Sequence, residues 1–162
     1  MTLRAVREDD VGLIKPMLQL GFPKVDWTDE MAREWLSREG GVQVVDPGRR
    51  AYLRLSINPD LEDDIGFGTG LCTLVFALLP QHHDQKWVDD VLAPLLASGL
   101  TKIAEENPKL RERPVYAFLT PDLLPFWAWT GIFNAETTAR STGSHVLWLP
   151  TLRETIAKVA RF

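Results

Sequence analysis

The stretch from Leu71 to Leu79 constrains this chain most: nine residues, apolar apart from Thr73, closed by Pro80. The run is too short to cross a bilayer as a helix and has no polar alternation. It therefore reads as a β-strand covered on both faces. A strand of that kind requires partner strands beside it and helices above and below it, which makes the chain an α/β protein.

The segments around the run supply those parts. Leu3 to Arg7 alternates apolar and polar as a half-buried strand does, and Glu8, Asp9 and Asp10 follow as a cap for a helix carrying Val11, Ile14, Met17 and Leu18 on one face. Gly21, Phe22 and Pro23 end that helix. Thr28 opens a second one, with Met31, Trp35 and Leu36 at helical spacing and Gly40 and Gly41 as its stop. Val42 to Val45 and Ala51 to Ile57 read as strands joined by a tight turn over Asp46, Pro47, Gly48 and Arg49. Residues 58–70 form an acidic, then glycine-rich loop.

After the apolar strand, residues 84–107 have a helical pattern with Val88, Val91, Leu92, Leu95 and Ile103 on one side. Pro94 predicts a kink or restart there. Pro114 to Leu119 is a further strand, Pro121 to Trp129 a short helix ended by Gly131, and Asn134 to Leu149 one long strand or a hairpin about residues 142–144. Leu152 to Phe162 is a terminal helix. The expected architecture is a mixed, mostly antiparallel sheet of six or seven strands flanked by helices.

With 162 residues and 45% hydrophobic content, the chain has material for one well-buried core. A formal net charge of −4 gives no global drive toward nucleic acid or anionic membrane. The N-terminal residues lead straight into acidic sequence, without a cationic segment and apolar run, so the expectation is a cytoplasmic protein. One cysteine, Cys72, excludes an internal disulfide and a cysteine-rich zinc site. Within an apolar run it reads as a buried, inert thiol. His82 and His83 are adjacent loop residues, a poor geometry for two ligands to one ion, so no metal is expected. Arg49, Arg50 and Arg54 read as a solvated turn and strand edge.

The order strand, two helices, three strands, long helix, strand, short helix, strand resembles the GNAT acyltransferase superfamily. The opening Leu3 to Asp10 resembles that family's first strand and acidic cap. Phe126 to Phe133 resembles the aromatic helix, glycine and apolar pair of its last short helix. The resemblance implies a single GNAT-like domain over residues 1–149, with residues 150–162 as a helix packed on the same domain. It implies acetyl transfer from acetyl-coenzyme A to an amine, borne by a small molecule, a protein N-terminus or a lysine. The coenzyme would contact Leu78 and Leu79, then Gln81, His83, Lys86 and Val88 in the following loop and helix start. Phe118, Leu119 and Thr120 would line the neighbouring strand.

In that family the loop places spaced glycines where backbone N–H groups must approach a diphosphate closely. Counted from Pro80, the basic position is His83 and the glycine positions are Asp84, Lys86 and Val88, so the loop is degenerate. Asp89 and Asp90 follow, and carboxylates repel a diphosphate. The tyrosine that protonates a leaving thiolate has its counterpart in Trp127, whose indole cannot act as an acid near neutral pH. The alternative is a non-catalytic GNAT-like domain that binds a protein through an aromatic patch of Trp87, Trp127 and Trp129. An open or a tryptophan-filled cleft beside the central strand separates the two readings. The acidic residues Asp60, Glu62, Asp63 and Asp64 either attract a cationic amine or form a solvated loop.

Overall fold

A computed structural model describes residues 3–22, 24–38, 41–58, 70–77, 85–119, 137–139, 145–149 and 151–160. Its strands are β1 (Arg4–Ala5), β2 (Gly41–Asp46), β3 (Ala51–Asn58), β4 (Gly70–Ala77), β5 (Val115–Leu119), β6 (Thr137–Ala139) and β7 (His145–Leu149). They form one sheet in the order β1-β2-β3-β4-β5-β7-β6, antiparallel throughout except for the parallel pair β4 and β5. The apolar run is thus the fourth of seven strands. The sequence between residues 134 and 149 resolves into the hairpin alternative, β6 on β7.

Helices α1 (Val11–Gly21) and α2 (Asp29–Ser37) cover one face. Val11, Ile14, Met17 and Leu18 are buried as the spacing predicts, in a cluster with Ala32, Trp35 and Tyr52. Thr28 caps α2, its hydroxyl accepting from the Met31 amide at 3.1 Å. Met31 itself is 37% exposed, so its helical spacing with Trp35 does not bring it into the core. Ahead of α1, the buried Asp10 carboxylate accepts two bonds from the Arg4 guanidinium, at 2.7 and 2.8 Å, and one from the Arg7 amide at 2.7 Å. This pairing ties the edge strand β1 to the start of α1.

The other face carries the long helical segment: α3 (Gln85–Trp87), a π-turn (Val88–Leu92) and α4 (Ala93–Glu106). The expected irregularity at Pro94 takes the form of a change from π-turn to α-helix, Pro94 standing in the first turn of α4 while the helical backbone continues through Leu92 and Ala93. Val88, Val91, Leu92, Leu95 and Ile103 all enter a core with Val42, Val44, Leu53 and Leu55 of β2 and β3. The terminal helix α5 (Leu152–Val159), capped by Thr151, adds Leu152 and Val159 to the same core. Two glycines permit close approach. A Cβ on Gly99 of α4 would stand 2.5 Å from Cδ2 of Leu53, and one on Gly41 would strike the Leu55 carbonyl oxygen. The helical reading of residues 121–129 lies outside the described residues.

Candidate functional site

Where parallel strands separate, each leaves an edge of backbone donors and acceptors available to a ligand. β4 and β5 pair only from Leu71↔Val115 to Thr73↔Ala117. β4 continues to Ala77 and stays paired with β3 through Arg54↔Leu74, Leu53↔Val75, Tyr52↔Phe76 and Ala51↔Ala77. β5 continues to Leu119 and stays paired with β7 through Phe118↔Val146 and Leu119↔His145. The two central strands therefore part at their C-terminal ends while each keeps its outer neighbour. A cleft at that position in a sheet is a general location for ligands.

A buried polar network braces β3 at the level of the parted segment. The Trp35 indole donates to the Tyr52 hydroxyl at 3.0 Å, Tyr52 donates to Oε1 of Gln43, and Gln43 donates to the Leu36 carbonyl at 2.9 Å. Arg54, 6% exposed, donates to the Trp35 carbonyl at 2.8 Å and to Ser56 at 3.1 Å. Its guanidinium stands 4.9 Å from the Trp35 ring centroid, and that of Arg38 stands 5.0 Å from it. This corrects the reading of Arg54 as a solvated edge residue. The carbonyls of Trp35 and Leu36 belong to the last turn of α2, where that of Trp35 also accepts from the Arg38 amide at 3.4 Å, and a cation is favoured there. Arg49 and Arg50 are exposed, as expected of the turn, and Arg50 adopts a left-handed conformation with φ 50°.

Burial pushes the Tyr52 phenol up to about 12, opposed by the bond from Trp35. Held between an indole and an amide, Tyr52 is a structural hydroxyl and not a proton donor to a ligand. At the start of the long helical segment, Lys86, Asp89 and Asp90 are exposed, and Gln85 donates to Asp89 at 2.8 Å. Val88 is fully buried, backbone included, and presents no surface to a ligand. Trp87 is half-buried against the α4 core. Leu78, Leu79, Gln81, His83, Thr120, Trp127 and Trp129 lie outside the described residues, as does the acidic loop. Among the described residues no group of three or more acidic, histidine or cysteine side chains is placed to hold a metal, and no helix is long and apolar enough to cross a membrane. An open groove lined by Glu8, Asp9, Gly12, Asp29 and Arg33 lies at the starts of α1 and α2 and shares no residue with β4 or β5.

A seven-stranded sheet with one parallel pair parting after three residues, joined by a long helical crossover and backed by two N-terminal helices, is the GNAT fold. Solved structures with this fold match nearly the whole chain. They include apo FdhC, described as a nucleotide-linked sugar GNAT, with a TM-score of 0.60, 13% identity and coverage of 99% of this chain and 93% of that one. The acetyltransferase AAC(6')-Ib with acetyl-coenzyme A matches with a TM-score of 0.60, 17% identity and coverage of 96% and 95%. A spermidine N-acetyltransferase SpeG chimera from Vibrio cholerae and hSSAT matches with a TM-score of 0.60, 12% identity and coverage of 97% and 99%. No protein-family model matches the sequence, and no curated protein does.

The cleft suits part of coenzyme A. Two parted strand edges can pair with an extended, amide-bearing arm by the geometry that adds a strand to a sheet. The described start of the helical segment exposes two carboxylates, Asp89 and Asp90, and one lysine, Lys86.

Proposed function

We propose that this protein transfers an acetyl group from acetyl-coenzyme A to an amine. The parting of β4 and β5 after Thr73↔Ala117 carries the reading, because it supplies an open edge of backbone groups for the arm that bears the thioester. Amine acceptors fit the company the fold keeps: structures similar to this chain include an aminoglycoside acetyltransferase and a spermidine N-acetyltransferase. Lys86, exposed at the described start of the helical segment, and the loop positions Leu78, Leu79, Gln81 and His83 are the proposed coenzyme contacts. The helix over residues 150–162 belongs to the same domain, a reading supported by Leu152 and Val159 in the α4 core.

The thioester supplies the acetyl group: the C–S bond breaks as the neutral amine nitrogen forms the new N–C bond. The protein's part is to hold the reacting groups together and exclude competing water. Residues 70–77 carry no carboxylate, and Tyr52 is locked by its partners, so water takes both protons the nitrogen loses, one from the ammonium before attack and one as the amide forms. The leaving thiolate likewise takes its proton from water, since the tyrosine position holds Trp127. Such a catalyst depends on positioning more than on acid-base groups.

The test is release of free thiol when the protein meets acetyl-coenzyme A and a panel of polyamines, aminoglycosides and amino sugars. Turnover that requires both the protein and one of these amines is expected. Hydrolysis at the background rate with every amine contradicts the reading.

A further inference from the structure

Resting on the acetyl-transfer reading, we infer that this protein recognises its acyl donor through the arm next to the thioester and draws little affinity from the diphosphate at the other end. Two observations made at different places carry this. The pairing of β4 with β5 ends early: four residues of β4 and two of β5 continue past the last paired residues, each strand held by its outer neighbour. Nothing about that opening depends on the donor's charge.

The helix start, in contrast, opposes a diphosphate. A helix N-terminus attracts anions through its free N–H groups, provided that the neighbouring side chains neither block nor repel them. Here Val88 is fully buried and turns inward, while Lys86, Asp89 and Asp90 remain exposed. Asp89 and Asp90, in the π-turn that follows Lys86, leave the described helix start with two exposed carboxylates and one exposed cation. Gln85 adds its amide to Asp89 at 2.8 Å, so this donor is already engaged by a carboxylate. The sequence from residue 78 to residue 92 contains no glycine at which a backbone N–H could be approached without a side chain. A donor consisting of the thioester and its pantetheine arm, with no diphosphate, meets the favourable part of the site and avoids the unfavourable one.

Calorimetric titrations of the full chain with coenzyme A and with pantetheine separate the two contributions. The dissociation constants are expected to agree within about tenfold, with acetyl-pantetheine serving as a donor in the thiol-release assay. The double variant Asp89→Asn, Asp90→Asn is expected to tighten coenzyme A by roughly three- to tenfold and leave pantetheine unchanged. Lys86→Glu should weaken coenzyme A by less than about threefold. Coenzyme A binding a hundredfold or more tighter than pantetheine, or a double variant that leaves coenzyme A binding unchanged, overturns the inference while preserving acetyl transfer. Binding of neither ligand overturns both readings.

Discussion

Among single residues, Tyr52 and Arg54 show most clearly how context overrides type. In the strand sequence Tyr52, Leu53, Arg54, Leu55, Ser56, alternation assigns Leu53 and Leu55 to one core face and leaves a polar face that reads as solvated. Helices α1 and α2 cover that face, and the chain satisfies it with an indole, an amide and the last carbonyls of α2. Trp35 and the C-terminal carbonyls of α2 were the available sequence signals, but their distance from Arg54 along the chain hid the connection. Tyr52→Phe removes the hydroxyl between Trp35 and Gln43 and should cost about 1 to 3 kcal/mol, measured as a lower denaturant midpoint at unchanged slope. Since the Tyr52 pKa lies near 12 in the folded state against 10.0 ordinarily, the unfolded chain loses this proton first. The associated stability is complete below pH 10 and declines as pH rises toward 12. Ultraviolet titration in a Tyr116→Phe background should show Tyr52 ionising near 12; ionisation near 10 in the folded protein would contradict its burial. Asp10 follows the opposite sign. The Arg4 guanidinium, aided by the Arg7 amide, holds its carboxyl below the ordinary 3.8, so the stability it contributes is present above that value and is lost as pH falls through the lower, folded one. Thermal midpoints should therefore fall less steeply below pH 3.8 in Asp10→Asn, which is already destabilised at neutral pH.

Elements repeat the pattern of easy and hidden features. The helical faces, the Thr28 cap, the irregularity at Pro94 and the central apolar strand were legible because each is written in local spacing or in one residue's backbone chemistry. The π-turn at Val88–Leu92 was not, since one extra residue per turn leaves an apolar spacing that an α-helix also accommodates. The parting of β4 from β5 was legible only through family resemblance. It depends on how two strands distant in sequence register with each other, which no local pattern encodes. Glycines at element contacts give a graded test. Gly41→Ala sets a Cβ against the Leu55 backbone oxygen in the β2–β3 ladder, whereas Gly99→Ala meets Cδ2 of Leu53, a side chain that can turn only within a packed core. Both variants should destabilise, by about 1 to 3 kcal/mol for Gly99→Ala and more for Gly41→Ala, in chemical denaturation. The reverse order would place the give in the strands and not in the side chain.

For the whole molecule, two helical layers hold a seven-stranded sheet whose outer pairs are intact while its central parallel pair opens. The fold and the position of the cleft thus stand on backbone register, and the chemistry proposed for it on what an open strand edge can bind. The site residues named from sequence are legible to different degrees. Lys86 is exposed and available, Val88 is buried with its backbone, and the loop positions Leu78, Leu79, Gln81 and His83 rest on alignment with a glycine-bearing loop that this chain does not have. The central claim is that the donor arm lies between β4 and β5. Backbone amide shifts, followed by nuclear magnetic resonance during titration with acetyl-coenzyme A, test it most directly. The account predicts that the largest changes fall on Leu74 to Ala77 and on Phe118 and Leu119, with Leu71 to Thr73 little affected. Changes confined to other elements, or none at saturating ligand, would contradict it.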